Sequence, residues 1–455
     1  YVGPVDTNDL VAVRNASIAR VVTIPAQLSP AGYTCFVFQV DVTADCQPPA
    51  PTATGDVKVA TALGAYPPFP YVPFGLVAAA SSPKLAFYLG RAVVLAETSV
   101  LLLAAGWHLV TWLGRRALLG VVFAMTPMAV FCTGILNTSG LEICGALGVA
   151  AVVVVGSRRP ESLARPATQV VMLLAGSALI LSRQLGIVTM TALVAILLAI
   201  GGWRALWPEV RRRAPVLICV IALLGLQTLA VGVWEFKYDH PVLLGPWASS
   251  ESTDNYWTLF PDLVGKSVGW FGWLDTLMPS WSVALWVYAF VALVAAGLML
   301  GRGRDRVTIV LVLAAALGVS MVTHSRVFFP VQAGLQGRHM IPLLVIVPLV
   351  AGVAVAERIN RRAFAVLALL TAVVLPPMQL LGLWVNGKRY AVGATKDTVW
   401  FFPDAQWSPP FGWSPWVLLA LVSTVAMIAS VAFLAGGRAR QPPPLTPVDV
   451  VAVGP

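Results

Sequence analysis

From about residue 66 onward, this chain is built of runs of roughly twenty apolar residues, one after another. A bilayer core about 30 Å thick is crossed by about 20 apolar residues in a helix. Charge is scarce as well: 11% of the 455 residues are charged and 58% are hydrophobic, where soluble domains carry roughly 25% charged residues. The fold class expected is an all-α polytopic membrane protein. Its apolar runs place spans near 86–113, 116–136, 139–156, 166–182, 184–202, 214–234, 281–301, 306–323, 340–356, 363–383 and 413–436, about eleven in all. The segment FPYVPFGLVAAAS, 68–80, is too short and too rich in Pro for a span, and reads as a re-entrant or interfacial helix.

The net charge of +10 is a topology signal. Seventeen of the 30 basic residues sit in alternate short loops, such as Arg115/Arg116, Arg158/Arg159, Arg211/Arg212/Arg213, Arg302/Arg304 and Arg361/Arg362. That is the positive-inside pattern, so these loops are expected in the cytoplasm of a bacterial plasma membrane, and no nucleic acid partner is implied. The remaining loops are long and Trp-rich and are expected to be exoplasmic. On this orientation Tyr1 starts outside, which predicts a preceding helix and about twelve spans in total. The expected organisation is an exoplasmic segment 1–67, a helical domain 68–436 with exoplasmic loops 235–280 and 384–412, and a Pro-rich cytoplasmic tail 437–455.

Cys35 and Cys46 flank the alternating stretch CFVFQVDVTADC and are expected to form a disulfide. Cys132, Cys144 and Cys219 lie in apolar spans, where a free thiol behaves as a small hydrophobe. No CxxC or HxxxH spacing points to a metal site, so a divalent cation has no support from spacing and no cofactor is evident. No GxxxxGK[ST] motif is present to bind a nucleotide.

The polar exceptions carry the functional reading. Glu142 heads an apolar helix behind Asn137-Thr138-Ser139. Ser139-Gly140-Leu141-Glu142 fits a capping box, in which the carboxylate reaches back to the Ser139 N–H. Alternatively, Asn137 and Glu142 line an outward cavity and contact substrate. Glu97 falls near mid-membrane, where a charge must be protonated, paired or hydrated. Arg91 lies nearer the outer end of the same span and either snorkels or binds a lipid phosphate. Gln336, Gly337 and Arg338 precede another span: Gly allows close backbone approach, and the Arg fork suits phosphate. His324 and His339 flank that loop without metal-ligand spacing. Twelve of the 16 Trp lie at the outer side, as an aromatic belt or as a platform for sugar rings; Trp270 and Trp273, beside Asp275, are the platform candidates. Asp6 and Asp9 precede an amphipathic stretch, as solvated loop charges, a helix cap or catalytic carboxylates.

Several stretches together, YPPFPY (66–71), AFYLGRAVV (86–94), LNTSGLEI (136–143), GWFGWLDTLMP (269–279), QGRHMIPLL (336–344) and WSPPFGW (407–413), resemble an uncharacterised family of multi-pass bacterial membrane proteins common in actinobacteria. That family is grouped by fold with the GT-C glycosyltransferases. The resemblance covers essentially the whole chain. It implies a long first exoplasmic loop whose acidic residue serves as general base or substrate contact, and a polyprenyl-phosphate-linked sugar as donor. It places Asp6 or Asp9 in the catalytic position. The family more often shows adjacent Asp-Glu followed by His, where this sequence reads Asp6-Thr7-Asn8-Asp9. It implies substrate-binding roles for Asn137, Glu142, Gln336 and Arg338. The function expected is exoplasmic sugar transfer to a cell-envelope glycan or lipid. The alternatives are a transporter or flippase for a lipid-linked envelope precursor, which Glu97 and Arg91 would serve, and a non-catalytic assembly factor.

Overall fold

A computed structural model describes residues 20–29, 33–48, 55–61, 63, 66–212, 214–238, 249–331 and 335–436. Asp6, Asp9 and the tail 437–455 lie outside the described residues. The described residues open with an antiparallel pair, β1 (Arg20–Pro25) and β2 (Asp56–Thr61), in the register Arg20↔Thr61. Between the strands, Cys35 and Cys46 are joined by a disulfide.

Helices make up most of the remaining described residues. A short helix α1 (Val72–Ala79) leads into α2 (Pro83–Leu113), α3 (Leu119–Ala124), α4 (Pro127–Thr133), α5 (Ser139–Arg158), α6 (Pro166–Ser182) and α7 (Gln184–Gly201). Then follow α8 (Trp203–Arg212), α9 (Ala214–Tyr238) and α10 (Ser250–Gly269), with a tight hairpin of β3 (Trp270–Phe271) and β4 (Thr276–Leu277). The last helices are α11 (Ser280–Leu300), α12 (Gly303–Thr323), α13 (Ile341–Arg358), α14 (Arg361–Val392) and α15 (Ser414–Phe433).

Among the described residues, nine helices are long and apolar enough to cross a membrane, or ten if one bent pair counts as a span. This bears out an all-α polytopic membrane protein; the bent pair and the 17-residue apolar helix α6 fall on the two remaining segments of the eleven or so expected. Helix α6 is apolar but shorter than the rest. The region 116–136 is not one straight helix: Arg115–Ala124 and Pro127–Thr133 meet at 88°. Pro127 supplies no backbone donor and forces the preceding residue out of the helical region, and Thr126 is extended (φ −60°, ψ 161°). The Thr126 hydroxyl then caps the new helix by accepting from the Ala129 N–H at 3.1 Å.

Helix α5 is the centre of the bundle. Every residue from Ser139 to Ser157 is buried, against α2, α6, α7 and α13. Its run GALGVAAVVVVG, small or β-branched at every position but Leu147, lets neighbours approach from all sides. The outer helices turn large apolar side chains such as Leu103, Ile218, Leu226, Met299, Val373 and Leu418 to the perimeter, as a lipid-facing surface requires.

The two ends of the bundle differ. At the arginine-rich end, Arg158 bridges Asp305 (2.8 Å) and Glu357 (3.1 Å), tying α5 to α12 and α13. At the opposite, loop-rich end, α14 runs beyond the bundle. Its 32 residues span about 48 Å, more than a hydrocarbon core. The projecting part carries Arg389, whose guanidinium donates to the carbonyls of Phe36 (3.0 Å), Gln39 (2.9 Å) and Val42 (2.7 Å) and to the Asp275 carboxylate (2.8 Å). One buried arginine thereby fastens the disulfide loop and the β3–β4 hairpin to α14.

Candidate functional site

At the loop-rich end the polar residues at the head of α5 meet Arg183, the single residue between α6 and α7. Arg183 is extended (φ −160°, ψ 163°). Gly186 permits this break: a Cβ there would lie 1.9 Å from the Leu179 carbonyl oxygen, so only glycine lets the first turn of α7 sit on the last turn of α6. The guanidinium donates from Nη2 to Asn137 Oδ1 (3.0 Å) and from Nε to Thr138 Oγ1 (3.1 Å), and stands 4.0 Å from Glu142 Oε2. The Tyr66 ring faces it at 5.7 Å. Tyr71, whose pKa burial raises, hydrogen bonds to Thr138.

The capping box does not form. Asn137 Oδ1 accepts from the Ser139 N–H at 2.7 Å, so the donor that Glu142 was expected to satisfy is already taken. Among the described residues, both oxygens of the buried Glu142 carboxylate are left without a hydrogen-bond donor. The local sequence carried two competing local acceptors, and the Asx-type turn, which is shorter, prevails.

The Gln336–Arg338 loop converges on the same place. Gly337 is pressed onto α10, where a Cβ would lie 2.2 Å from the Ser267 backbone nitrogen, and Ser267 Oγ donates to the Gly337 carbonyl at 3.3 Å. Arg338 lies within the fields of Arg183, Cys132, Tyr66 and Glu142; burial first, then the like charge of Arg183, lower its pKa. It still carries its charge near neutrality, as arginine does. His339 is held neutral: burial, then Arg183 and Arg338, push its pKa well below the usual 6.5. Arg338 Nε, Gln336 Oε1 and Ser139 Oγ are buried without hydrogen-bond partners among the described residues. Orphaned donors and acceptors gathered around one carboxylate and two guanidinium groups are what a site for a polar, anionic ligand needs.

An apolar cavity of about 380 Å³ begins at Met340 and Ile341, directly after this loop, and continues between α10, α11, α12 and α13 past Phe260, Phe290, Leu313 and Leu344.

The other expected site residues go elsewhere. Asp275 is buried in the ion pair with Arg389 and does not join the cluster, because the four acceptors around that guanidinium include its carboxylate. The Trp270 indole N–H is spent on the Leu274 carbonyl (2.7 Å), with the Lys266 ammonium 4.9 Å from its ring, while Trp273 is half exposed and edge-on to Phe38. Arg91 donates to the Gly134 carbonyl (3.1 Å) and lines a separate cavity. Arg183 was missed in the sequence. The available signal was a lone arginine between two apolar runs at the end where the charge pattern puts few basic residues.

No curated protein and no solved structure matches the chain. A family model described as a predicted membrane protein (DUF2142) matches residues 17–347, a stretch that includes Asn137, Glu142, Arg183 and Arg338 and leaves out Arg389. With well over half of its length inside that match, the chain belongs to the DUF2142 family of predicted membrane proteins.

Proposed function

We propose that this protein moves a sugar from a polyprenyl-phosphate-linked donor to a cell-envelope glycan or lipid at the exoplasmic face of a bacterial plasma membrane, as a GT-C-like glycosyltransferase. One observation carries the reading: Arg183 and Arg338 gather around the buried carboxylate of Glu142, next to an apolar cavity of about 380 Å³ that starts at Met340. Two guanidinium groups and one carboxylate leave a positive charge over, which a lipid phosphate neutralises. Prenyl units fit the apolar cavity beside that phosphate. The positive-inside rule supports the orientation, with the arginine-rich end in the cytoplasm.

In the reaction, the acceptor hydroxyl oxygen bonds to the donor's anomeric carbon while the bond from that carbon to the phosphate oxygen breaks. The electron pair leaves with the polyprenyl phosphate, and the hydroxyl proton passes to a carboxylate. On this reading that base is Asp6 or Asp9, as the resemblance implies. Arg338 and Arg183 stabilise the departing phosphate. Asn137 and Glu142 hold Arg183 in position, and Gln336 presents its unpartnered oxygen to a sugar hydroxyl.

The test compares glycolipids and cell-wall sugars, by mass spectrometry, in a deletion strain complemented with wild type or with the Asp6→Asn/Asp9→Asn double variant. Loss of one sugar component in the deletion, restored by wild type and not by the double variant, supports transfer. An unchanged sugar profile in the deletion overturns it. A transporter reading draws on Glu97, whose Oε2 is buried without a partner among the described residues. It predicts instead that Glu97→Gln is severe and the Asp variants are silent.

A further inference from the structure

Arg91 is a charge without a task in the cluster above. It lies about two turns into α2, exposed on the bundle perimeter. Nε donates to the Gly134 carbonyl, and among the described residues no carboxylate pairs with the guanidinium. A cation facing lipid must find an anion or reach the interface. Beside it is a cavity of about 250 Å³, whose polar lining is Arg91, Gln379 and Asn386. Gln379 is occupied, donating to the Met125 carbonyl at 2.8 Å. Asn386 Oδ1 is buried and accepts from no donor among the described residues. A side-chain amide can turn its NH2 group toward an anion instead.

This polar cavity leads into an apolar one. Val130 and Gln379 line both it and a second cavity of about 310 Å³. The second is walled by Leu102 of α2, Val121 of α3, Leu375 of α14 and Val431 of α15. From Arg91 to Leu102 is eleven positions along α2, or about 16 Å. That is close to the depth of one leaflet, half of a core about 30 Å thick. A cation at the interface and an apolar slot of one leaflet's depth match a phospholipid in charge and in length.

The site is distinct from the Glu142 cluster. Helix α4 is the wall between them: Val130 and Phe131 line the Arg91 cavity, while Cys132 faces Arg183, Arg338 and Glu142.

We propose that Arg91, Asn386 and the slot along Leu102, Val121 and Val431 bind one anionic phospholipid, its phosphate on Arg91 and one acyl chain in the slot. The inference does not depend on sugar transfer. It is tested on the full chain in detergent, by native mass spectrometry and thermal unfolding, with phosphatidylglycerol, phosphatidylcholine or inorganic phosphate added. Wild type should retain phosphatidylglycerol with roughly tenfold preference over phosphatidylcholine. Arg91→Gln should lose that preference, and Val121→Trp should lose retention of both lipids. Arg91→Lys, which keeps the charge and guards against a folding artefact, should keep part of the preference. Arg338→Gln should leave it unchanged. Retention by Arg91→Gln equal to wild type overturns the proposal. So does protection by inorganic phosphate as strong as by phosphatidylglycerol, or loss of the lipid in Arg338→Gln.

Discussion

The Arg183 guanidinium stands 4.0 Å from the Glu142 carboxylate, yet its hydrogen bonds go to Asn137 and Thr138. The contact is charge against charge, steered by neutral acceptors, and among the described residues no donor takes up the hydrogen-bonding capacity of Glu142. Two adjacent side chains of the turn before α5 thus hold a cation in place at the head of the most buried helix of the bundle.

Removing either charge should be costly, and removing both less so than the sum. Breaking one partner of a buried pair costs about 3–5 kcal/mol, because the other charge stays behind. Arg183→Gln and Glu142→Gln should each destabilise. The double variant should recover about 0.5–3 kcal/mol of the summed loss, read from denaturant unfolding in detergent. Strict additivity would mean that the two groups do not interact.

Gly337→Ala should impair function more than its size suggests. The added Cβ would lie 2.2 Å from the Ser267 backbone nitrogen, so the loop carrying Arg338 must move. A displacement of about 1 Å at a reacting group can cost roughly 100-fold in rate. Donor turnover by the purified variant is the measurement, with a melting curve to separate misplacement from unfolding. Wild-type turnover would show that this contact does not position Arg338.

Arg389→Met should release the disulfide loop. It removes the donor to Phe36, Gln39 and Val42 and leaves Asp275 buried without its cation. We expect a loss of about 3–5 kcal/mol and new protease cleavage within 33–48. Asp275→Asn, which keeps a hydrogen-bond acceptor, should be milder. A cleavage pattern identical to wild type in Arg389→Met would contradict the clamp.

His339 should make stability pH-dependent below about pH 6.5. Its folded-state pKa is well below the ordinary 6.5, through burial and two neighbouring arginines. Above 6.5 both folded and unfolded states are neutral at this residue, so its contribution is fully present. As pH falls below 6.5, the unfolded chain takes a proton that the folded chain refuses. Stability then drops by up to about 1.4 kcal/mol per pH unit for this one group, until the folded pKa is reached. His339→Phe should flatten that slope. An unchanged slope between pH 6.5 and 5 would assign the pH dependence to other groups.

Composition and hydropathy alone determined the solvent of this protein and the character of its helices. Runs of twenty apolar residues have no other stable home than lipid, and most of the span boundaries could be read directly from them. Chemistry at chain level also marked Asn137, Glu142, Gln336 and Arg338, because polar groups at the edge of an apolar run stand out against it.

Tertiary structure decided what those residues do. The capping box and the Asx-type turn compete for the same Ser139 N–H, and only the folded turn shows which acceptor wins. Asp275 looked free beside two tryptophans until α14 brought Arg389 to it from 114 positions away. Arg183 became a partner of Glu142 only when α6 and α7 folded back onto α5. Membrane insertion is set by local hydrophobicity, summed along a stretch of chain, and so it is legible in one dimension. Charge pairing depends on distance in three dimensions, between residues whose separation along the chain carries no information about it.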